Sequence, residues 1–275
     1  MGTLLLLILF SPLLVAGVLV LLTSPFAWFV FPGGGTRGPH DTLAGRLLGN
    51  VVSLLMEWAS GAWVVLSFMF GFLVGSSSAP AVVRGRRLVV LLPGYMENAL
   101  TLRFLHRHLQ RRLADPVVAL SPVAYWTSLD HLAEDYRIRI LEWMKHCGAK
   151  EVVLVGHSMG GLLARMLAES DSLGAKVKVV VTMATPHLGS AISWMVPGRN
   201  GRQMRRGSAF LEQLNARHQP KGLTSIGICS THDTYILPWH CGLSPVGDNF
   251  ILRYRGHLTL LFSQEVLRII SKTLS

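Results

Sequence analysis

A serine hydroxyl becomes a useful nucleophile only when a base takes its proton and an acid orients that base. Residues Val152-Val153-Leu154-Val155-Gly156-His157-Ser158-Met159-Gly160-Gly161 are built to present such a hydroxyl. They read as an apolar strand, a Gly-x-Ser-x-Gly turn and the start of a helix rich in Ala and Leu. A turn this sharp strains the serine and lifts its hydroxyl above the sheet edge. Gly156 and Gly160 are needed because side chains there would collide across the turn. Three fixed residues recur by chance; the flanking strand and helix make the match specific.

Ser158 is the candidate nucleophile, and its partners should follow in the order acid, then base. Asp233 lies in Ser230-Thr231-His232-Asp233-Thr234 and His257 in Gly256-His257-Leu258, each just after an apolar strand pattern. The carboxyl ends of adjacent strands meet at one sheet edge, so both belong beside the serine turn. Asp248 enters the last strand and belongs at the opposite edge. His232 and His240 sit on the acid loop, His187 precedes every credible acid, and the His157 ring should point away from the nucleophile. A tetrahedral oxyanion also needs amide donors, and losing one costs about 3–4 kcal/mol. The Met159 N–H is one candidate, and the Tyr95 N–H in Pro93-Gly94-Tyr95-Met96 is the other.

These residues need elements to carry them. Strands are predicted over 88–92, 117–120, 151–155, 177–183, 223–229 and 249–254, with helices near 101–113 and over 129–146, 159–169 and 263–274. Such alternation predicts a mostly parallel sheet with helices on both faces. The stretch 190–222 reads as a lid-like insertion that mixes Trp194, Met195, Val196 and Phe210 with Arg199, Arg202, Arg205, Arg206, Arg217 and Lys221. Its apolar residues suit an acyl pocket and its basic ones suit anionic head groups. The stripe Arg103, Arg107 and Arg111 is expected to be a solvated helix face.

Half of the 275 residues are apolar, more than a soluble domain needs. Two runs account for the excess, about 3–31 and 51–75, each long enough to span a bilayer. Together they predict an N-terminal transmembrane hairpin over 1–80, with the catalytic domain over 81–275. Glu57 and a few small polar residues interrupt the second run. Gly71-x-x-x-Gly75 is a spacing that lets helices approach closely. Arg84, Arg86 and Arg87 after it outnumber Arg37 and Arg46 before it, which favours a cytoplasmic catalytic part in a multi-pass, bacterial inner-membrane protein; a second run lying only in the interface would turn that part outward. The net charge of +11 fits an anionic membrane surface, and no zinc-finger spacing or RNA-binding signature points to nucleic acid. Cys147, Cys229 and Cys241 form no metal or disulfide framework; reduced thiols are expected, although Cys229 and Cys241 could pair in an oxidising compartment.

Several segments in one order resemble the bacterial triacylglycerol lipase and esterase branch of the α/β-hydrolases. They are Gly156-His157-Ser158-Met159-Gly160-Gly161, Ala184-Thr185-Pro186-His187-Leu188-Gly189-Ser190, Gly207-Ser208-Ala209-Phe210-Leu211, the Asp233 loop ending in Leu237-Pro238, and Gly256-His257-Leu258. The resemblance runs from Leu88 to the C-terminus and implies a minimal α/β-hydrolase fold. It further implies cleavage of acyl or lipid esters through an acyl-enzyme on Ser158, with no cofactor or metal. Pro93-Gly94 stands where His-Gly is common in that branch. An acyltransferase or thioesterase would use the same triad, and an idle membrane scaffold would keep the fold without the chemistry.

Overall fold

The computed structural model describes residues 17, 18, 22, 42–71 and 86–275. Nearly all of the first apolar run, the junction at 76–80, Gly75 and Arg84 lie outside the described residues, and with them half of the expected hairpin.

Six strands form one sheet: β1 (Arg87–Leu92), β2 (Val117–Ala119), β3 (Glu151–His157), β4 (Val177–Met183), β5 (Thr224–Ser230) and β6 (Asp248–Leu252), in the order β2-β1-β3-β4-β5-β6. Every neighbouring pair is parallel. Strands covered on both faces read as continuous apolar runs rather than alternating ones, and β3 shows why. Val152 and Leu154 enter one core with Tyr136, Ile140, Leu162 and Leu163; Val153 and Val155 enter the other with Leu105, Leu267 and Ile270. The first core lies under α3 (Leu129–Cys147) and α4 (Met159–Ala168), the second under α2 (Arg103–Arg112) and α7 (Gln264–Leu274). Ser128 caps α3 by accepting the His131 N–H, and Gly148 ends it at φ 70°. The insertion between β4 and β5 carries two short helices, α5 (Gly198–Gln203) and α6 (Ala209–Ala216).

Sheet order reverses between β1 and β3, the place where open α/β sheets bind ligands beyond their carboxyl ends. Strand β3 runs to His157, two residues past its predicted end, and α4 starts immediately after Ser158. Strand β6 stops at Leu252 because Tyr254 turns the chain at φ 54°.

The second apolar run forms α1 (Leu43–Gly71), of which Leu47–Gly71 is long and apolar enough to cross a membrane. It starts well before Val51, because the Thr42 hydroxyl accepts the Gly45 N–H and caps it. Residues 43–50, between the two expected spans, are thus helical. Along α1 the small and polar residues Ser53, Glu57, Ser60, Ser67 and Gly71 face the protein, while Leu48, Val51, Val52, Leu55, Met56 and Phe70 face outward. Gly49 packs on the Tyr254 ring, Trp63 Nε1 donates to the Thr101 carbonyl at 3.4 Å, and the Ser67 and Thr101 hydroxyls meet at 2.5 Å. A Cβ on Gly71 would overlap the Asn98 side chain, whose amide donates to the Ser67 carbonyl at 2.7 Å. The small size of Gly71 thus lets the helix approach the loop after β1.

The turn around Ser158 tolerates no extra volume. A Cβ on Gly160 would enter the Leu92 and Pro93 carbonyls, which are backbone and cannot swing away. Gly160→Ala is therefore expected to lower stability by about 1–3 kcal/mol, read as a shifted denaturant midpoint; an unshifted midpoint would mean that β1 and the turn are not held this close.

Candidate active site

Among the described residues, four non-glycine residues hold positive φ: Met96, Ser158, Ala184 and Tyr254. They follow β1, β3, β4 and β6, so backbone strain collects at the carboxyl edge of the sheet, the kind of place where function concentrates it. Ser158 sits at φ 52° and ψ −121°, with its N–H on the Met183 carbonyl at 2.7 Å and its own carbonyl on the Gly161 N–H at 3.0 Å. A Cβ on Gly156 would strike the Gly160 carbonyl, so neither glycine of the turn can carry a side chain.

The loop after β1 leans on the nucleophile. An added Cβ on Gly94 would lie 3.0 Å from Ser158 Cβ. The Gly94 N–H donates to Glu97 Oε2 at 2.7 Å, which fixes the turn of this loop, and the Tyr95 hydroxyl donates to the Pro197 carbonyl of the insertion at 3.1 Å. The backbone N–H groups of Tyr95 and Met159 donate to no acceptor among the described residues. These amides follow Gly94 and Ser158 directly in the chain and are open as donors.

Asp233 and His257 come together on the loops after β5 and β6. His257 Nδ1 donates to the Asp233 carboxylate, 3.0 Å from each oxygen, and both side chains are buried. Asp233 Oδ1 also accepts the N–H groups of Tyr235 at 2.8 Å and Ile236 at 2.7 Å, so the acid is held by its own turn. The Tyr235 ring lies over His257 at 5.0 Å. Burial opposes charge on His257, yet the Asp233 carboxylate, its hydrogen bond, and the charges of Glu57 and Glu97 outweigh that, raising the imidazole above its ordinary value. No hydrogen bond joins Ser158 to His257, an arrangement common before substrate tightens such sites.

Two of the rival histidines, His187 and His232, are occupied, and His240 is exposed on the acid loop. His187 bridges Arg165 and Thr182 at 3.2 Å each, and burial, then Arg165, holds it well below the usual imidazole range. His232 Nδ1 contacts the Thr231 hydroxyl and accepts the Tyr254 N–H, and burial with Arg253 lowers it to about 4. Asp248, exposed at the start of β6, lies at the opposite sheet edge from Asp233. The His157 ring joins a network not foreseen from sequence. Its Nδ1 meets Glu97 Oε1 at 2.8 Å and its Nε2 meets the His257 carbonyl at 3.1 Å. All three cysteines are buried free thiols. Among the described residues, no group of three or more His, Cys, Asp or Glu side chains could hold a metal.

In the insertion, Trp194 and Met195 are 65% and 79% exposed, and the Arg205 guanidinium lies 4.3 Å from the Trp194 ring centre. A hollow of about 740 Å³ opens between Leu188, Trp194, Arg206, Leu211 and His240. Ser158, Asp233 and His257 do not line it.

A family model described as a PGAP1-like alpha/beta domain matches residues 130–233. Over 38 residues the chain is 45% identical to the GPI inositol-deacylase of Candida albicans, covering 14% of this chain and a tenth of that protein's length. Among solved structures, Aspergillus fumigatus lipase B is similar with a TM-score of 0.61 at 15% identity, over 72% of this chain and 55% of the lipase. Bacillus licheniformis lipase BlEst2 is similar with a TM-score of 0.59 at 12% identity, over 72% of this chain and 94% of the lipase. At such identities the likeness to the two lipases is one of fold, and it is not confined to bacterial proteins. With its parallel sheet and the strained serine turn after β3, the chain has the α/β-hydrolase fold.

Proposed function

We propose that this chain is a membrane-associated serine hydrolase that cleaves acyl esters of lipids. The observation that carries the reading is the buried Asp233–His257 pair at the same sheet edge as the strained Ser158, whose turn is packed against the Gly94 loop. In this reading Ser158 Oγ attacks the ester carbonyl while its proton passes to His257 Nε2. The N–H groups of Tyr95 and Met159 hold the oxyanion. Collapse returns the proton to the departing alcohol and leaves an acyl-serine. Water, deprotonated by His257, then releases the acid and regenerates Ser158. Asp233 keeps the Nδ1 proton in place throughout.

The lipid part of the proposal rests on surfaces. The relative from Candida albicans is by name a deacylase of inositol in GPI, which is also removal of an acyl group. The outer face of α1 is apolar, Phe68 of the same helix meets the Tyr125 ring at 4.9 Å, and Trp126, Trp194 and Met195 are exposed. Arg199, Arg202, Arg205 and Arg206 lie on that same insertion, suited to anionic head groups. Contacts from Gly49 to Gly71 hold α1 along the catalytic fold for most of its length. A helix fixed in this way fits a position in the plane of the membrane interface better than a crossing. An in-plane α1 would remove the second span on which the cytoplasmic placement depends. The division at residue 80 becomes, on this reading, a boundary within one working unit. Acyl transfer or thioester cleavage would proceed through the same acyl-serine, the acceptor deciding the outcome.

Hydrolysis of p-nitrophenyl esters from acetyl to palmitoyl, in detergent, tests the chemistry. Ser158→Ala is expected to lower kcat by about 10⁶-fold, with wild-type activity highest on medium or long chains. Undiminished activity in that variant would remove the serine mechanism, and a folded wild type inert on every ester would favour a transferase or a scaffold.

The pH profile is fixed by the base. Catalysis needs neutral His257, so kcat/KM should fall as pH drops through its raised value, placing the acidic limb above about 6.5. Asp233→Asn should move the limb down and cost about 10⁴-fold in kcat. A limb at or below the ordinary imidazole value in the wild type would contradict the assignment of His257.

Membrane contact is tested with Leu55→Glu combined with Met56→Glu, both exposed on the outer face of α1. Loss of about 1.5–3 kcal/mol of burial per side chain should cut activity on vesicle-borne esters at least tenfold and spare a soluble ester. Equal activity on both substrates would argue against this face meeting lipid.

A further inference from the structure

Glu57 is a carboxylate in the middle of an apolar helix, yet it is only 1% exposed. Four donors surround it. Oε1 accepts from the Thr234 hydroxyl at 2.9 Å and the Leu258 N–H at 3.0 Å. Oε2 accepts from the Thr259 N–H at 3.0 Å and the Thr259 hydroxyl at 2.8 Å. Thr234 follows the candidate acid and Leu258 follows the candidate base, so one side chain of α1 ties both catalytic loops. Gly256 makes room, since a Cβ there would overlap the Glu57 side chain. On its other side, the His257 carbonyl meets His157 Nε2 at 3.1 Å. The peptide unit that joins His257 to Leu258 is thus held at both its carbonyl and its N–H.

Simple docking of α1 does not call for a charge. Ser67, Trp63 and Gly71 already fasten the helix with neutral contacts, whereas an ionised carboxylate is costly to bury unless its surroundings use it. We infer that Glu57 is a positioning residue for the hydrolytic reaction: it clamps the Asp233 and His257 loops together and so makes α1 part of the active site. This rests on the serine-hydrolase reading above. The charged and titratable groups around His257 are Asp233 and Tyr235 from the acid loop, Glu97 from the loop after β1, His157 from the end of β3, and Glu57 from α1. Replacing Glu57 by Gln keeps the size, removes the negative charge and points an N–H₂ at donors.

The experiment compares the full chain in detergent with Glu57→Gln, Thr259→Val and Ser158→Ala. It follows p-nitrophenyl ester hydrolysis across pH and amide hydrogen exchange over residues 257–259. Glu57→Gln is expected to lower kcat by about 100-fold, the scale of a misplaced catalytic group, with KM little changed. The acidic limb should move to lower pH, and exchange at Leu258 and Thr259 should quicken. Thr259→Val leaves the backbone bonds intact and should give a smaller loss in the same direction, which keeps the idea testable if Glu57→Gln does not fold. Wild-type kcat in both variants overturns the clamp. So does a loss of activity with the pH limb and exchange unmoved, since that marks mere support of the helix. Full activity in Ser158→Ala would instead refute the serine mechanism, and the exchange data would then decide the clamp alone.

Discussion

Ser158 occupies a backbone state that costs a side-chain-bearing residue about 1–3 kcal/mol, and much of the surrounding structure keeps it there. The turn closes because Gly156 and Gly160 have no Cβ to interfere, and it is pinned from β4 through the Met183 carbonyl. The carbonyls of Leu92 and Pro93 fill the space directly against Gly160, so β1 cannot move away without releasing the turn. Two neighbouring strands therefore constrain one hydroxyl. The register Leu92↔Gly156 and His157↔Met183 brings all three strand ends to one level, which makes the loops beyond them neighbours.

That edge also explains why the insertion and α1 are tied to the loops rather than to the sheet. Tyr95 reaches the Pro197 carbonyl, and the Ser190 hydroxyl accepts the Leu237 N–H of the acid loop at 3.0 Å. Asn98, four residues after Gly94, donates to the Ser67 carbonyl of α1. A shift of either cover would thus pull on the loop after β1 or on the Asp233 loop. The contacts are short-range hydrogen bonds, so coupling of this kind needs no long pathway through the core.

Much of this was legible in the sequence. All six strands and their order along the chain follow from apolar runs punctuated by glycine and polar turns. Ser158, Asp233 and His257 follow from their places after strands, because in a parallel sheet the end of a strand fixes the edge at which the next residue emerges. What sequence could not supply was pairing between distant residues. Glu97 and His157 are 60 positions apart, and Glu57 and Leu258 are 201 apart, with no local period linking them. Glu57 was visible as an acid in an apolar helix. Its meaning depended on knowing that the small polar face of α1 points inward, the reverse of a soluble amphipathic helix. The earlier start of α1 has a simpler reason: its cap is the single hydroxyl of Thr42.

Three carboxylates, Asp233, Glu57 and Glu97, lie buried around one imidazole. They do not repel one another apart because each has its own donors: two amides and His257 for Asp233, two amides and two hydroxyls for Glu57, and the Gly94 amide with His157 for Glu97. Hydrogen bonds of this kind stabilise the ionised form and offset the cost of burial. The residual field at His257 is negative, and it comes from three elements far apart in sequence. On the proposed reading, His257 becomes a cation when it accepts the serine proton, and that field favours the charged form. Asp233 alone would orient the ring. The two glutamates add field without competing for Nδ1, because each is committed to backbone amides or to a second histidine.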